Sequence, residues 1–200
     1  MAAQRLVGTA FGTRSFIDPC KKVYGELAST FSTEEEIRDN CVVAFTTVGD
    51  AVYALTETPY LARIDIDSLD YKDKVDIRDH LKIVLHTFTA HSHTDPEGNI
   101  LNIGSQFGSK SNYIFAKTKN PLKIEGAKSP YSLEYTELLG MVPATDALAP
   151  AYYHSFGVTE NYFILFESPE RIDIMKKAQK EEGEPQKCIN ECMYWDGKAK

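Results

Sequence analysis

Short β-rich segments follow one another at intervals of about ten residues through the middle of this chain. The first three are predicted at residues 41–46, 52–56 and 60–66, and turn residues such as Gly49 and Pro59 separate them. Such a succession of short strands and turns is typical of an all-β sandwich, barrel or propeller. Further strands are predicted at residues 81–89, 99–103, 111–117, 131–139 and 162–166.

The remaining segments have different patterns. Residues 6–16 mix apolar and small residues, which predicts one strand with irregular ends. Val23, Leu27 and Phe31 recur at helical spacing and predict a short helix over residues 20–31. Glycine, serine, proline and other small residues predict turns or loops at residues 104–111, 119–128 and 141–149.

The composition is that of a globular protein with a core. The 200 residues are 42% hydrophobic and 26% charged, which is ordinary for such a domain. We predict a single domain over residues 1–200, in which residues 176–200 form a charged, flexible tail with Trp195 as its candidate anchor. No repeat of fixed period is visible in the sequence.

The charge and the ends of the chain limit the expected partners and location. A net charge of −7 argues against a nucleic-acid partner, because nucleic-acid binding requires a basic surface. The first residues lack the apolar core of a secretory signal, and no apolar run reaches membrane-spanning length. We therefore expect a cytoplasmic protein whose four cysteines are reduced thiols.

Two histidines stand directly before a predicted turn in the stretch T-A-H-S-H-T-D-P-E-G, residues 89–98. Alternation along a strand would place His91, His93 and Asp95 on one face, as in a metal or acid/base site. The alternative is that these histidines are exposed or bonded to backbone. The motif is also similar to the His-x-His-x-Asp-His loop of metallo-β-lactamase-like hydrolases, but Pro96 occupies the position where that loop requires its last ligand.

Several motifs in one order resemble the carotenoid cleavage oxygenase family. They are L-T-E-T at 55–58, T-A-H-S-H at 89–93 and H-S-F-G-V-T-E-N-Y at 154–162. The motifs F-G-T at 11–13 and D-P-C-K at 18–21 are similar to the animal branch, which contains β-carotene dioxygenases and the retinoid isomerohydrolase of retinal pigment epithelium. The resemblance extends over nearly the whole chain.

The resemblance implies a seven-bladed β-propeller, of which this chain would be a middle segment with several blades. The expected fold is therefore an all-β, partial β-propeller with short helices and loops. In the family, four histidines on the propeller axis hold one ferrous iron, Fe²⁺. The third and fourth would lie beyond the last residue of this chain, so two of the four ligands are expected to be absent from it.

The resemblance also assigns roles to individual residues. His91 and His154, which are 154 − 91 = 63 residues apart, match the first two iron ligands. Glu57 matches a glutamate that hydrogen-bonds a ligand histidine and holds its orientation. His93 matches no ligand and is interpreted as supporting structure.

Other residues match the family's substrate tunnel and membrane-facing region. Phe11, Thr56 and Tyr152 match positions that line the tunnel near the iron, where aromatic rings would flank a polyene. Val43 matches a position where a methyl group obstructs one open iron position. The segment from Asp18 to Cys20 resembles a peripheral membrane contact, and Cys20 is a candidate for acylation.

The function implied is that of a carotenoid cleavage dioxygenase, which uses Fe²⁺ and dioxygen to cleave a polyene double bond into two aldehydes. The chain alone is not expected to be active, because half of the ligand set is missing. One alternative is a retinoid isomerohydrolase of the same family. Another is a carotenoid- or lipid-binding protein without catalysis. A metallo-β-lactamase-like hydrolase is disfavoured by Pro96 and by the absence of an alternating helix pattern.

Overall fold

A computed structural model describes residues 6–9, 12–15, 41, 43–178 and 189–197, and most of its regular structure is antiparallel strands. The predicted helix over 20–31, Phe11 and the segment from Asp18 to Cys20 lie outside the described residues. The predicted strand over 6–16 is instead two paired strands, β1 (Leu6–Thr9) and β2 (Gly12–Ser15). In the part of the chain that is described, no helix has the length and apolar character needed to cross a bilayer.

The first sheet is a four-stranded antiparallel meander in chain order. Its first three strands confirm the predicted ones, with bounds shifted by up to three residues. The fourth was missed, because half of its side chains are exposed and four of its six residues are charged. Charge is common on edge strands, where it opposes pairing with another chain. The strands are β3 (Ala44–Val48), β4 (Ala51–Leu55), β5 (Tyr60–Ile64) and β6 (Tyr71–Asp76).

The second sheet has the strand order β11-β10-β9-β7, with β8 also paired to β9. The predicted strand over 81–89 is mostly wrong, because a helical turn at Arg78–Leu81 precedes it and only two of its residues are extended. The strand predicted at 131–139 begins later, after a 3₁₀ turn at Leu133–Tyr135, and extends into the predicted loop at 141–149. The strands are β7 (Thr87–Phe88), β8 (His93–Thr94), β9 (Ile100–Gln106), β10 (Asn112–Thr118) and β11 (Thr136–Pro143).

Strand β10 separates two apolar clusters because successive side chains point to opposite faces. Ile114 and Ala116 pack into a cluster between the two sheets, together with Tyr53 and Leu55 of β4. Tyr113 packs on the opposite face with Ala151, Tyr153 and Phe156, which belong to the chain segment after the second sheet. Strand β10 is therefore covered on both faces, and the segment that follows the second sheet is held against the face that carries Tyr113.

The last part of the described chain forms two small antiparallel pairs and two short helices. Its predicted anchor, Trp195, is 70% exposed, and Cys192 is the buried side chain instead, at 1%. Cys192 packs with Ile172 and Ile174 in a third cluster. The pairs are β12 (Gly157–Val158) with β13 (Phe163–Ile164), and β14 (Glu170–Ile172) with β15 (Met193–Trp195); the helices are Ile174–Ala178 and Ile189–Cys192.

Gly104 lies inside β9, although the sequence predicts a turn there. A Cβ atom at this position would stand 2.4 Å from Leu85 Cδ1 and 2.8 Å from the carbonyl oxygen of Thr87. Neither atom is free to move far, because Leu85 is 1% exposed and Thr87 is a residue of the neighbouring strand. The glycine is thus required by the close approach of β7 and its preceding segment.

The substitution Gly104→Ala is expected to lower the free energy of unfolding by about 1–3 kcal/mol, as overpacking does in well-packed cores. Gly140→Ala on β11 is the matched control, since an added Cβ there meets no described atom within 4 Å. Urea denaturation monitored by fluorescence measures both. Equal stability of the two variants would contradict the close-packing argument.

Candidate metal centre

Three side chains from separate parts of the chain converge at one edge of the second sheet. They are Glu57, which follows β4, His91, which precedes β8, and His154, which follows the second sheet. One ligand atom from each lies within 4.8 Å of the others. A carboxylate and two imidazoles form a donor set that suits iron and other first-row transition metals.

Hydrogen bonds to the backbone fix Glu57 beneath the two histidines. Its carbonyl oxygen accepts a hydrogen bond from the Phe88 N–H at 3.2 Å. Its carboxylate accepts another from the Ala90 N–H. These two hydrogen bonds attach the connection between β4 and β5 to the segment that leads from β7 to His91. Glu57 itself is 1% exposed.

The segment carrying His154 is attached to β10 by a buried polar network. The Tyr113 hydroxyl donates to Glu167 Oε1 at 2.7 Å and accepts from the Ala151 N–H at 2.9 Å. Glu167 Oε1 also accepts from the Thr145 N–H at 3.1 Å. These bonds fix the backbone on both sides of the residues that lead to His154.

The two imidazoles are in contact. Their ring centroids are 4.3 Å apart and their planes are inclined by 59°. The Nε2 atom of His91 is buried and has no hydrogen-bond partner among the described residues. Burial lowers the pKa of His91, and the neighbouring charge of His154 lowers it further. A neutral imidazole with an unpartnered nitrogen is the state in which histidine binds a metal.

The ring of His154 is oriented by two oxygens on its Nδ1 side. Glu57 Oε1 lies 3.1 Å from Nδ1, and the Tyr152 hydroxyl lies 3.0 Å from the same atom. The Glu57 contact does not have the geometry of a hydrogen bond, so Oε1 is buried without one. Because both oxygens are on the Nδ1 side, Nε2 is the nitrogen of His154 that is left for a ligand.

Burial raises the pKa of Glu57 from its ordinary value of 4.5 to about 8, against the opposing hydrogen bond from Ala90. Without a cation nearby, this carboxyl group is therefore largely protonated at neutral pH. A bound cation would favour the carboxylate form, since opposite charge lowers an acid's pKa. A metal cation bound here would provide the ionised Glu57 with a positive charge that the described residues do not supply.

A cleft of about 720 Å³ opens beside the histidine pair. Both His91 and His154 line it, and Phe45, Val52 and Phe156 contribute apolar walls. Phe45 is 70% exposed although it is a large aromatic side chain. The cleft combines an apolar surface with two imidazoles, which suits an apolar ligand positioned next to a metal.

The residues predicted to line the substrate tunnel, and Val43, occupy different environments in the structure. Thr56 is buried, and Tyr152 is half-buried and contacts His154; neither lines the cleft. Val43 packs against the apolar cluster between the two sheets. Phe11 lies outside the described residues. Tyr152 thus contacts a residue of the metal centre through its hydroxyl group.

The predicted common face of His91, His93 and Asp95 is wrong. Strand β8 covers only His93 and Thr94, so strand alternation does not extend to the other two residues. His93 Nε2 forms a hydrogen bond with the Phe156 carbonyl oxygen at 2.8 Å, and its ring packs edge-on against that of Phe156. His93 therefore has the supporting role expected from the sequence.

Asp95 closes the predicted turn over residues 95–98. Its Oδ1 accepts from the backbone N–H groups of Glu97 and Asn99 at 2.9 and 2.8 Å, and its Oδ2 accepts from the Asn99 side chain at 2.7 Å. Lys117 lies 3.5 Å away. With its oxygens used in this way, Asp95 does not join the histidine pair, and the metallo-β-lactamase-like arrangement is not formed.

The pKa of Asp95 is lowered, because the hydrogen bonds from Asn99 and Glu97 and the charge of Lys117 outweigh burial, which acts in the opposite direction. A lowered pKa stabilises the fold above the unfolded value of 3.8, and this stabilisation is lost as the pH falls through the folded pKa. Asp95→Ala is therefore expected to cost about 1–2 kcal/mol at pH 7, and this cost should shrink as the pH falls below 3.8. Urea denaturation at a series of pH values measures this, and a pH-independent cost would contradict it.

One residue of this site was missed in the sequence. Thr89 is fully buried, and its hydroxyl group contacts the backbone of both His91 and His154. It lies within the motif T-A-H-S-H, but its second partner is 65 residues away. No local pattern indicates such a contact.

The sequence matches the family described as retinal pigment epithelial membrane protein (RPE65) over residues 2–200. The Beta,beta-carotene 15,15'-dioxygenases of Rattus norvegicus and Homo sapiens are 37% and 39% identical to this chain, each over 88% of it. The carotenoid isomerooxygenase of Galleria mellonella is 32% identical over 87% of it. These matches cover 31%, 32% and 33% of the relatives, so the chain spans about a third of their length.

Solved structures share the fold. A variant of the Synechocystis apocarotenoid oxygenase superposes with a TM-score of 0.56 at 16% identity, covering 93% of this chain and 34% of that one. A chimera of ACO and RPE65 superposes with a TM-score of 0.53 at 16% identity, covering 96% and 35%. The predicted all-β, partial β-propeller is confirmed by these neighbours and by the antiparallel sheets of the chain.

Proposed function

The chain belongs to the retinal pigment epithelial membrane protein family, and on that premise we propose that it is part of a carotenoid cleavage dioxygenase. The observation that carries the proposal is the cluster of Glu57, His91 and His154 beside an apolar cleft. The relatives of the chain that are named as carotene dioxygenases and carotenoid isomerooxygenase support the same reaction class.

The residues present fit an iron ion. His91 would bind through Nε2, which is buried and unpartnered, and His154 through Nε2, since its Nδ1 is flanked by oxygens. The family resemblance implies two further histidines outside this chain. When bound, the iron would supply the redox chemistry by which dioxygen cleaves a polyene double bond into two aldehydes.

The protein's own groups would position the ligands and the substrate. Glu57 Oε1 lies 3.1 Å from Nδ1 of His154 and would restrict the orientation of the imidazole, so that Nε2 is left for the metal. Tyr152, on the same side of the ring, would restrict its rotation. The apolar walls from Phe45, Val52 and Phe156 would bind a polyene and keep water from it.

A binding protein without catalysis is the second candidate. The described residues contain one cluster of two imidazoles and a carboxylate, which is half of the family's histidine set. Two neutral imidazoles alone hold ferrous iron weakly, and the apolar walls of the cleft are suited to binding an apolar ligand without cleaving it. The isomerohydrolase reaction of the same family would use the same residues.

The location is part of the proposal. A carotenoid or retinoid substrate dissolves in lipid, so we place the whole protein in the cytoplasm and at the surface of membranes. The segment from Asp18 to Cys20 is the proposed contact. Sedimentation with lipid vesicles, compared between the chain and its Cys20→Ser variant, tests this contact.

Metal content and oxygen uptake test the proposed function. They are measured on this chain and on a version extended at both ends to the length of the relatives. We expect the extended version to hold one iron per chain and to consume dioxygen with a carotenoid, and the chain alone to do neither efficiently. Iron binding without oxygen uptake would favour the isomerohydrolase, and absence of iron would favour the binding protein.

A further inference from the structure

A single buried hydroxyl group connects the backbones that carry the two histidine rings. Thr89 Oγ1 donates a hydrogen bond to the carbonyl oxygen of His154 at 2.5 Å. The same oxygen accepts a hydrogen bond from the backbone N–H of His91 at 3.2 Å. Thr89 is fully buried, so water does not replace either bond easily.

Thr89 is itself held rigidly against β9. Its N–H donates to the Ile103 carbonyl oxygen at 3.0 Å, and its own carbonyl accepts from Asn102 Nδ2 at 2.9 Å. Asn102 is buried, and its Oδ1 accepts from the Ile103 N–H at 2.8 Å. The hydroxyl group therefore extends from a fixed point of the second sheet.

A second connection joins the same two segments on the other side of His91. The His93 ring bonds to the Phe156 carbonyl oxygen at 2.8 Å. The connections thus join residue 89 to 154 and residue 93 to 156, and His91 lies between them. This arrangement leaves the two segments little freedom to separate.

We propose that Thr89 is a positioning residue of the metal centre, whose hydroxyl group sets the separation of the His91 and His154 rings. The inference rests on the proposed function, since it concerns the metal ligands of that site. Without the hydroxyl group, the His154 carbonyl and the His91 N–H would both lose this partner. Each is expected to move towards another hydrogen-bond partner, because an unpaired backbone polar group is unfavourable.

Three variants distinguish the contribution of the Thr89 hydroxyl group from that of side-chain packing. Thr89→Val keeps the shape of the side chain but removes the hydroxyl, and Thr89→Ser keeps the hydroxyl. Thr118→Val is the matched control, because Thr118 is also buried and its Oγ1 lies 2.8 Å from Thr136 Oγ1, away from the histidines. A merely structural role of Thr89 would make Thr89→Val and Thr118→Val alike in every measurement below.

The first measurement uses the metal-free chain and nuclear Overhauser contacts between the imidazole protons of His91 and His154. The parent chain, Thr89→Ser and Thr118→Val are expected to show these contacts, as the ring centroids are 4.3 Å apart. Thr89→Val is expected to lose them while its core contacts persist. Retention of the ring contacts in Thr89→Val would overturn the inference.

The second measurement is a titration with Co²⁺ of the version extended to the length of the relatives, followed by its visible absorption. Thr89→Val is expected to bind Co²⁺ about 10–100-fold more weakly than the parent, the usual cost of losing an outer partner of a ligand. Thr89→Ser and Thr118→Val are expected to match the parent. If the extended parent binds no Co²⁺, the proposed metal centre fails, while the ring contacts in the chain alone still decide the role of Thr89.

If Thr89→Val does not fold, the inference is tested on the parent chain alone. The Thr89 hydroxyl proton and the His91 amide proton are then followed by hydrogen exchange. Slow exchange of both is expected when the hydroxyl forms the two bonds. Exchange at the rate of exposed groups would overturn the inference.

Discussion

Replacing His91 with alanine is expected to abolish metal binding by the protein extended to the length of its relatives. His91 contributes the one imidazole nitrogen of the cluster that is buried and unpartnered. Loss of an outer partner already weakens metal binding about 10–100-fold, so loss of a ligand should weaken it by more than about 100-fold. His154→Ala is expected to have the same effect. Iron per chain after anaerobic loading and desalting is the measurement.

His80→Ala is the matched control for these variants. His80 lies on the helical turn Arg78–Leu81 and is absent from the cluster that Glu57, His91 and His154 form. It should retain one iron per chain. If His91→Ala and His154→Ala also retain it, the ligand assignment is wrong, and the inference about Thr89 loses its functional meaning.

The sequence predicted the strands that are apolar and bounded by turn residues, and it missed elements that are charged or very short. The first three strands of the first sheet were found because turn residues such as Gly49 and Pro59 separate apolar segments. Strand β6 was missed because it is a charged edge strand held by pairing to β5 and by the Arg63–Asp73 ion pair. The helical turn Arg78–Leu81 is too short to show a helical period.

The site was predictable only as a set of separate motifs. The resemblance singled out Glu57, His91 and His154, and the structure brings them together. Local periodicity wrongly added Asp95, because it assumed a continuous strand where β8 has two residues. Thr89 could not be found in this way, since a hydroxyl that connects residues 91 and 154 depends on tertiary structure.

The substitution Glu57→Gln is expected to stabilise the metal-free chain at alkaline pH. The folded pKa of Glu57 is raised by burial to about 8, against 4.5 for the exposed group. Below pH 4.5 Glu57 is protonated in both the folded and the unfolded state, so its ionisation does not lower the free energy of unfolding. As the pH rises from 4.5 to 8, the unfolded state loses the proton first, so the folded state becomes relatively less stable. Above pH 8 the deficit should be constant at about 3–5 kcal/mol.

Urea denaturation in the presence of a chelator, at pH values from 4 to 9, measures this effect. The difference in unfolding free energy between Glu57→Gln and the parent should be near zero at pH 4 and grow to its full value by about pH 8. Glu160→Gln on an exposed loop is the matched control for the change of a carboxyl group to an amide. A constant difference across the range would contradict a buried, protonated Glu57. In the version extended to the length of the relatives, adding metal should raise the stability of the parent more at pH 8 than that of Glu57→Gln, because a bound cation favours the carboxylate.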